Sequence, residues 1–279
     1  MSIQLIPYKP AGTIGSGPYV LREYKPDTGI DVSALSITYT GAHTDYGMVT
    51  MSDGARYRLL AFTSSGTLSI EQPVNCEVCV VGGGANGSNG SFNTGGGAGA
   101  YMKNQVIEAF ESGAVVVGAA QGASSIGGVS VAAVVGINGG TGAGSQRGGT
   151  GDGLSKYPFS DDFYELWGEK PHCAGGGAGG ASERIGTRWN SYSYGDGGSN
   201  GSNGSAQTYQ GTENAPGGSG GLYGAGNGGN ATSNGANATY YGSGGGGGGY
   251  YRYYDTNIGN VGSGYQGIVY MRIPEEQAA

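Results

Sequence analysis

Cys76 and Cys79 stand in a C-x-x-C spacing, the pattern in this chain that comes nearest to a redox or zinc centre. No second pair follows to complete a zinc site. The surrounding stretch alternates like a strand, with Val74, Cys76, Val78 and Val80 on one face and Asn75 and Glu77 on the other. Residues three apart in a strand fall on opposite faces, so the two thiols are expected to be separate and structural. With Cys173 the cysteines number 3, and an odd set makes no disulfide framework. The chain is expected to fold in a reducing cytoplasm.

Other chemical patterns are weaker. His43, Asp45 and Ser36 can be drawn as a triad, and His172 lies beside Cys173, but no orienting fold accompanies either. Gly217-Gly-Ser-Gly-Gly221 and Gly197-Gly-Ser-Asn-Gly201 satisfy G-x-S-x-G, a pattern that arises by chance among so many glycines. Neither has the strand–turn–helix setting that a nucleophile elbow needs. No lysine-serine pair follows a glycine run as in a phosphate loop. Gly148-Gly-Thr-Gly-Asp152 matches half of a calcium-binding nonapeptide and does not repeat. Asp161, Asp162, Glu165 and Glu169 form the one dense acidic group, and they read as a solvated loop rather than the paired carboxylates of a glycan-cleaving cleft. The expectation is a protein with no catalytic residues, no metal and no cofactor.

Charge narrows the partners. The net charge is -7, and Arg147-Gly148-Gly149 is a lone Arg-Gly-Gly. A glycine-rich nucleic-acid binder needs a basic field to neutralise phosphates, so nucleic acid is not expected as a partner.

The residues best suited to contact another molecule are aromatic. There are 21 tyrosines, and many cluster between glycine runs. Tyr164, Trp167, Trp189, Tyr192, Tyr194, Tyr240, Tyr241, Tyr250, Tyr251, Tyr253 and Tyr254 form the candidate recognition set. Tyrosine presents a flat apolar ring and a hydroxyl at little entropic cost, which suits sugar stacking and protein contacts alike. Equally, such rings could cover the scaffold or bury at a subunit contact.

The elements that must position these rings are unusual. Residues 1–56 carry Pro7, Pro10, Pro18 and Pro26 and read as an extended attachment arm with one strand near residues 34–39. Residues 57–279 read as a second unit. Its expected strands cover residues 57–62, 67–70, 74–81, 101–107, 114–117, 129–137 and 267–273. No secretory signal pattern opens the chain, and no apolar stretch approaches the length of a membrane-spanning helix.

Most of the 64 glycines lie between residues 82 and 267, in runs that include Gly82, Gly83 and Gly84, Gly95, Gly96 and Gly97, and Gly244, Gly245 and Gly246. Ordering a glycine costs about 0.5–1 kcal/mol more than ordering an alanine, and no side-chain burial offsets it. Backbone hydrogen bonding can. A polyproline-II segment points its N–H and C=O groups outward, and without Cβ atoms several can pack side by side and satisfy one another. The expected fold is mostly β with extensive irregular structure: a short β-sheet or sandwich plus packed glycine-rich, polyproline-II-like helices, with little or no α-helix.

This order of parts resembles the glycine-rich domain of bacteriophage tail and fibre proteins, related to the glycine-rich tail-fibre tip adhesins. The resemblance runs over about residues 57–273. It is carried by Phe62-Thr-Ser-Ser-Gly-Thr-Leu68, by Cys79-Val-Val-Gly-Gly-Gly-Ala85 entering the glycines, by the Gly-Gly-Gly-Ala-Gly block at 95–99, and by Gly264-Tyr-Gln-Gly-Ile-Val-Tyr-Met-Arg272 at the end. The inserts at 155–173 and 184–194 depart from it, and residues 1–56 have no counterpart in it. The resemblance implies a virion protein that recognises the host surface, either polysaccharide or an outer-membrane protein. Residues 1–56 would join it to other virion proteins, and a homo-oligomer is compatible with a fibre. The alternative is a structural virion protein, such as a decoration, collar or capsid fibre.

Overall fold

The alternation from Val74 to Val81 forms a strand, and a longer one than its own pattern spans. In the computed structural model the residues described are 30–51, 54–88, 96–97, 99–133, 182–183, 191–195, 206–210, 220, 224–229, 233–248, 250–251, 256–257 and 259–276. They contain strands and no helix. The first strands are β1 (Ile37–Tyr39), β2 (His43–Thr50), β3 (Arg56–Phe62) and β4 (Gly66–Val81). They are followed by β5 (Met102–Val116), β6 (Ser124–Ile126) and β7 (Val129–Val131). Then come β8 (Ser182–Glu183), β9 (Ser191–Gly195), β10 (Ala206–Gln210), β11 (Tyr250–Tyr251), β12 (Thr256–Asn257) and β13 (Ile268–Pro274).

The larger sheet is antiparallel, in the order β2-β3-β13-β4-β5-β6-β7, with β1 also paired to β4. β4 joins the two runs expected at 67–70 and 74–81. Between them Pro73, which has no N–H to give, sits where the β4–β5 register shifts. Opposite, Ala109 takes a left-handed φ of 49°, and its N–H donates to Asn75 Oδ1 at 3.0 Å.

Both faces of this sheet are buried. Leu60, Phe62, Leu68, Ile70, Val74, Cys76, Val78, Val80, Val269, Met271 and Ile273 form one core with Val115, Ile126 and Val129. Ala61, Cys79, Val81, Met102, Ile268 and Tyr270 form a second, with Ala85 and Ala100. Cys76 and Cys79 therefore sit on opposite faces, both buried and free. Burial, with a smaller contribution from the Glu77 carboxylate, pushes the Cys76 thiol up to about 12. It stays protonated at neutral pH and offers no thiolate to a metal or a disulfide.

The inner part of the expected arm belongs to the sheet. Asp31 accepts hydrogen bonds from Ser33 N, Ser33 Oγ and Ala34 N, closing a turn that places Val32 and Leu35 in the first core. Arg58 fastens this turn: its guanidinium donates to the carbonyls of Val32 and Leu35 and forks onto Asp45 of β2 at 2.6 and 3.1 Å. Partial burial alone would raise the Asp45 carboxyl, but the Arg58 hydrogen bond, the Gly47 N–H and the Arg58 charge outweigh it and hold the group below the usual carboxylate range. Asp45 is thus engaged by Arg58 and is no catalytic orienter. His43 packs against Tyr39 and Phe62 at centroid distances of 5.3 and 6.2 Å.

Beyond Val81 the chain leaves the sheet without losing register. Val81 pairs with Ile268 in the β4–β13 ladder. Three residues outward, Gly84 N–H donates to Tyr265 O at 2.9 Å. Three further on, Gly87 N–H donates to Gly262 O at 2.9 Å. The same three-residue step recurs wherever the glycine segments meet. Ala100 and Gly97 donate to Gly242 and Gly245, Gly226 and Gly229 to Gly244 and Gly247, and Gly235 and Ala238 to Asn260 and Ser263.

Candidate functional site: tyrosines at the two ends of a glycine lattice

Residues 242–248 form the axis of this region. They exchange backbone hydrogen bonds with segments on every side: Ala85, Gly97 to Ala100, Gly226 to Gly229, Ala236, and Gly262 to Gln266. Every residue from 242 to 248 is buried. A Cβ on Gly246 would stand 1.8 Å from Asn227 O, one on Gly245 2.1 Å from Gly262 O, one on Gly84 2.1 Å from Ser243 O, and one on Gly97 1.9 Å from Ala85 O. Real Cβ contacts are never that short, so these segments approach as they do because the residues are glycine.

Asparagines complete the edges. Asn234 Oδ1 accepts from Asn260 N and Asn237 Oδ1 from Ser263 N, each at 2.8 Å and again three residues apart. Asn86 bridges two neighbours, donating to Gln121 Oε1 at 2.8 Å and accepting from Gly264 N at 2.9 Å. Gln121 is held in a left-handed conformation (φ 61°), and its N–H donates to Gly84 O. The period of three in Asn234-Gly235-Ala236-Asn237-Ala238 is the sequence signal for this edge, and it is visible only once the partner segment is known.

Of the expected scaffold glycines, Gly82, Gly83, Gly84, Gly96, Gly97, Gly244, Gly245 and Gly246 are buried, and Gly95 lies outside the described residues. The candidate rings divide between two ends. At the end next to the larger sheet, Gly242 takes φ 69° with its α-carbon against Val81 and Ala100. Just before it, Tyr240 and Tyr241 meet edge-to-face at 5.4 Å, and Tyr241 meets Tyr265 at 5.6 Å. Tyr241 is half-buried and packs on the second core, so it joins the sheet to the glycine segments. Tyr265, 37% exposed, completes this group and was not among the candidate rings expected from sequence.

At the other end, the chain runs outward along 242–248 into β11 and returns from β12 along 259–267 into β13. Tyr250 and Tyr251 form β11 there, paired with Asn257 and Thr256 of β12. β11 and β12 belong to a five-stranded sheet in the order β10-β9-β8-β11-β12, antiparallel except between β8 and β11. Tyr192 and Tyr194 lie in its strand β9. Tyr164, Trp167, Trp189, Tyr253 and Tyr254 lie outside the described residues.

Among the described residues no three His, Cys, Asp or Glu side chains are grouped to hold a metal ion. No helix among them is long and apolar enough to cross a membrane. Comparison with protein-family models, with curated proteins and with solved structures finds no match to this chain.

Proposed function

We propose that this chain is a bacteriophage virion protein that acts by binding rather than catalysis, as a tail-fibre tip or receptor-binding adhesin. In this reading the glycine segments are polyproline-II-like helices packed side by side. A threefold helix brings every third N–H to the same neighbour, which accounts for the three-residue step. At about 3.1 Å per residue, the segment 242–248 carries the chain roughly 19 Å from the sheet to the β11–β12 turn. Loops displayed by a rigid scaffold are where recognition residues concentrate.

The observation that carries the reading is the unbroken passage of the β4–β13 register into the glycine segments, which ties the tyrosine-bearing far end to a buried core. Residues before Ile30 are free, on this reading, to attach the protein to other virion chains. The test is adsorption of fluorescently labelled protein lacking residues 1–29 to cells of candidate hosts, read by flow cytometry. Saturable adsorption, displaced by unlabelled protein, is expected. A folded protein that adsorbs to no cells that the phage infects would assign it instead a structural place in the particle.

A further inference from the structure

We propose that one face of the five-stranded sheet is the receptor site and that its ligand is a neutral polysaccharide; this rests on the receptor-binding reading above. The register sets one cross-strand row. Tyr209 pairs with Tyr192, Tyr192 with Glu183, Glu183 with Tyr251, and Tyr251 with Thr256. Tyr194 and Gln207, two positions along their strands, fall on the same face. The adjacent row, on the opposite face, is Thr208, Ser193, Ser182, Tyr250 and Asn257. Four tyrosines and the sheet's one carboxylate thus share a face, and short polar residues occupy most of the other.

Strands lie about 4.8 Å apart, so the row from Tyr209 to Tyr251 extends roughly 14 Å. That is an elongated platform suited to a chain ligand. Tyrosine rings stack on the apolar faces of sugar rings, and phenol, amide and carboxylate groups exchange hydrogen bonds with sugar hydroxyls. Charge decides the class. The carboxylate of Glu183 stands mid-row, β8 to β12 contain no Lys or Arg, and the whole chain carries -7. Uronic or sialic acids would be repelled with no cation to receive them, whereas neutral hydroxyl-rich sugars gain an acceptor.

The experiment compares adsorption of the labelled protein to host cells oxidised with periodate, which cleaves sugar diols, and to cells shaved with protease. Loss of adsorption after periodate and its survival after protease are expected. Tyr192→Ala and Tyr251→Ala should each lower apparent affinity about tenfold, the factor for losing one aromatic stack, whereas Tyr250→Ala on the opposite face stays within about twofold. The periodate comparison needs no variant, so it decides the ligand class even if a substitution disturbs folding. Adsorption that survives periodate, or is lost to protease, overturns the polysaccharide and points to an outer-membrane protein. Equal losses in Tyr250→Ala and Tyr251→Ala overturn the assigned face. Each of those results leaves the adhesin reading standing; absence of adsorption by the unaltered protein to any host removes both.

Discussion

Gly246→Ala is expected to destabilise the protein by about 3 kcal/mol or more, the upper end of what overpacking costs, because the obstacle is backbone. The new methyl would stand 1.8 Å from Asn227 O and 2.5 Å from Asn227 C. Neither atom can swing aside like the end of a side chain. The Gly246 N–H bond to Ala236 O and the Gly262 N–H bond to Gly246 O would shift with it, so the damage spreads through the segments that surround the axis. For a chain of this size the loss corresponds to a Tm lower by roughly 6–12 °C. Gly113→Ala is the control: it lies in β5, where a Cβ would meet only the Phe110 ring at 3.4 Å, an ordinary contact. There the substitution is expected to be neutral or to stabilise by up to about 1 kcal/mol, since alanine loses less freedom than glycine on folding. Equal melting temperatures for Gly246→Ala and the parent would mean that the segments are not packed as described.

Deletion of residues 1–56 is expected to abolish cooperative unfolding, whereas a deletion ending at residue 29 leaves every described contact in place. The longer deletion removes β1 from the edge of β4 and β2 from β3. It also strips Val32 and Leu35 from the first core and Met51 from its contact with Leu59. Leu35→Ala alone should cost about 2–5 kcal/mol, as for other large-to-small core changes. Circular dichroism melts decide the matter. A sharp transition in the protein lacking residues 1–56, close to that of the parent, would make residues 30–56 a dispensable arm after all.

The strands with strong apolar patterns were legible in the sequence for a plain reason: they are buried on one face or both. Val74, Cys76, Val78 and Val80 alternate because a core lies on one side. β13 reads as a continuous apolar run because both of its faces are covered. β2 escaped notice because it is an edge strand. His43 to Tyr46 are exposed, and Gly47 bulges the ladder with φ 69°, so no alternation is imposed on it. The inner arm was misjudged because two buried residues, Val32 and Leu35, suffice to hold it when Arg58 fixes the turn between them. That bond crosses 26 residues of sequence in one case and 23 in the other, which no local pattern reveals.

The glycine region was legible in kind and not in detail. That separate runs could satisfy one another's backbones follows from the chemistry of glycine. Which run meets which does not, because a run of identical residues has no phase. Side chains supply the phase only at the margins: Asn234 and Asn237 three apart at one edge, Asn86 between Gln121 and Gly264 at another. The tyrosines were similarly ambiguous. Tyr240 and Tyr241 sit at the end next to the larger sheet, where Tyr241 packs on a core, whereas Tyr250 and Tyr251 pair in strands at the far end. Sequence proximity to the same glycine run places both pairs in one class, and only the direction of the run separates them.

Native-state hydrogen exchange, resolved by residue, reads the glycine lattice most directly. The amides of Gly84, Gly87, Gly226, Gly229, Gly245, Gly246 and Gly262 each donate to a backbone carbonyl of another segment. If those bonds join the glycine segments to the sheet in one cooperative unit, their exchange should be slowed to within about tenfold of the β3, β4 and β13 amides and should track global stability. Glycine amides that exchange at the rate of an open chain, while the β4 and β13 amides stay protected, would contradict the lattice and leave the far-end tyrosines without a rigid support.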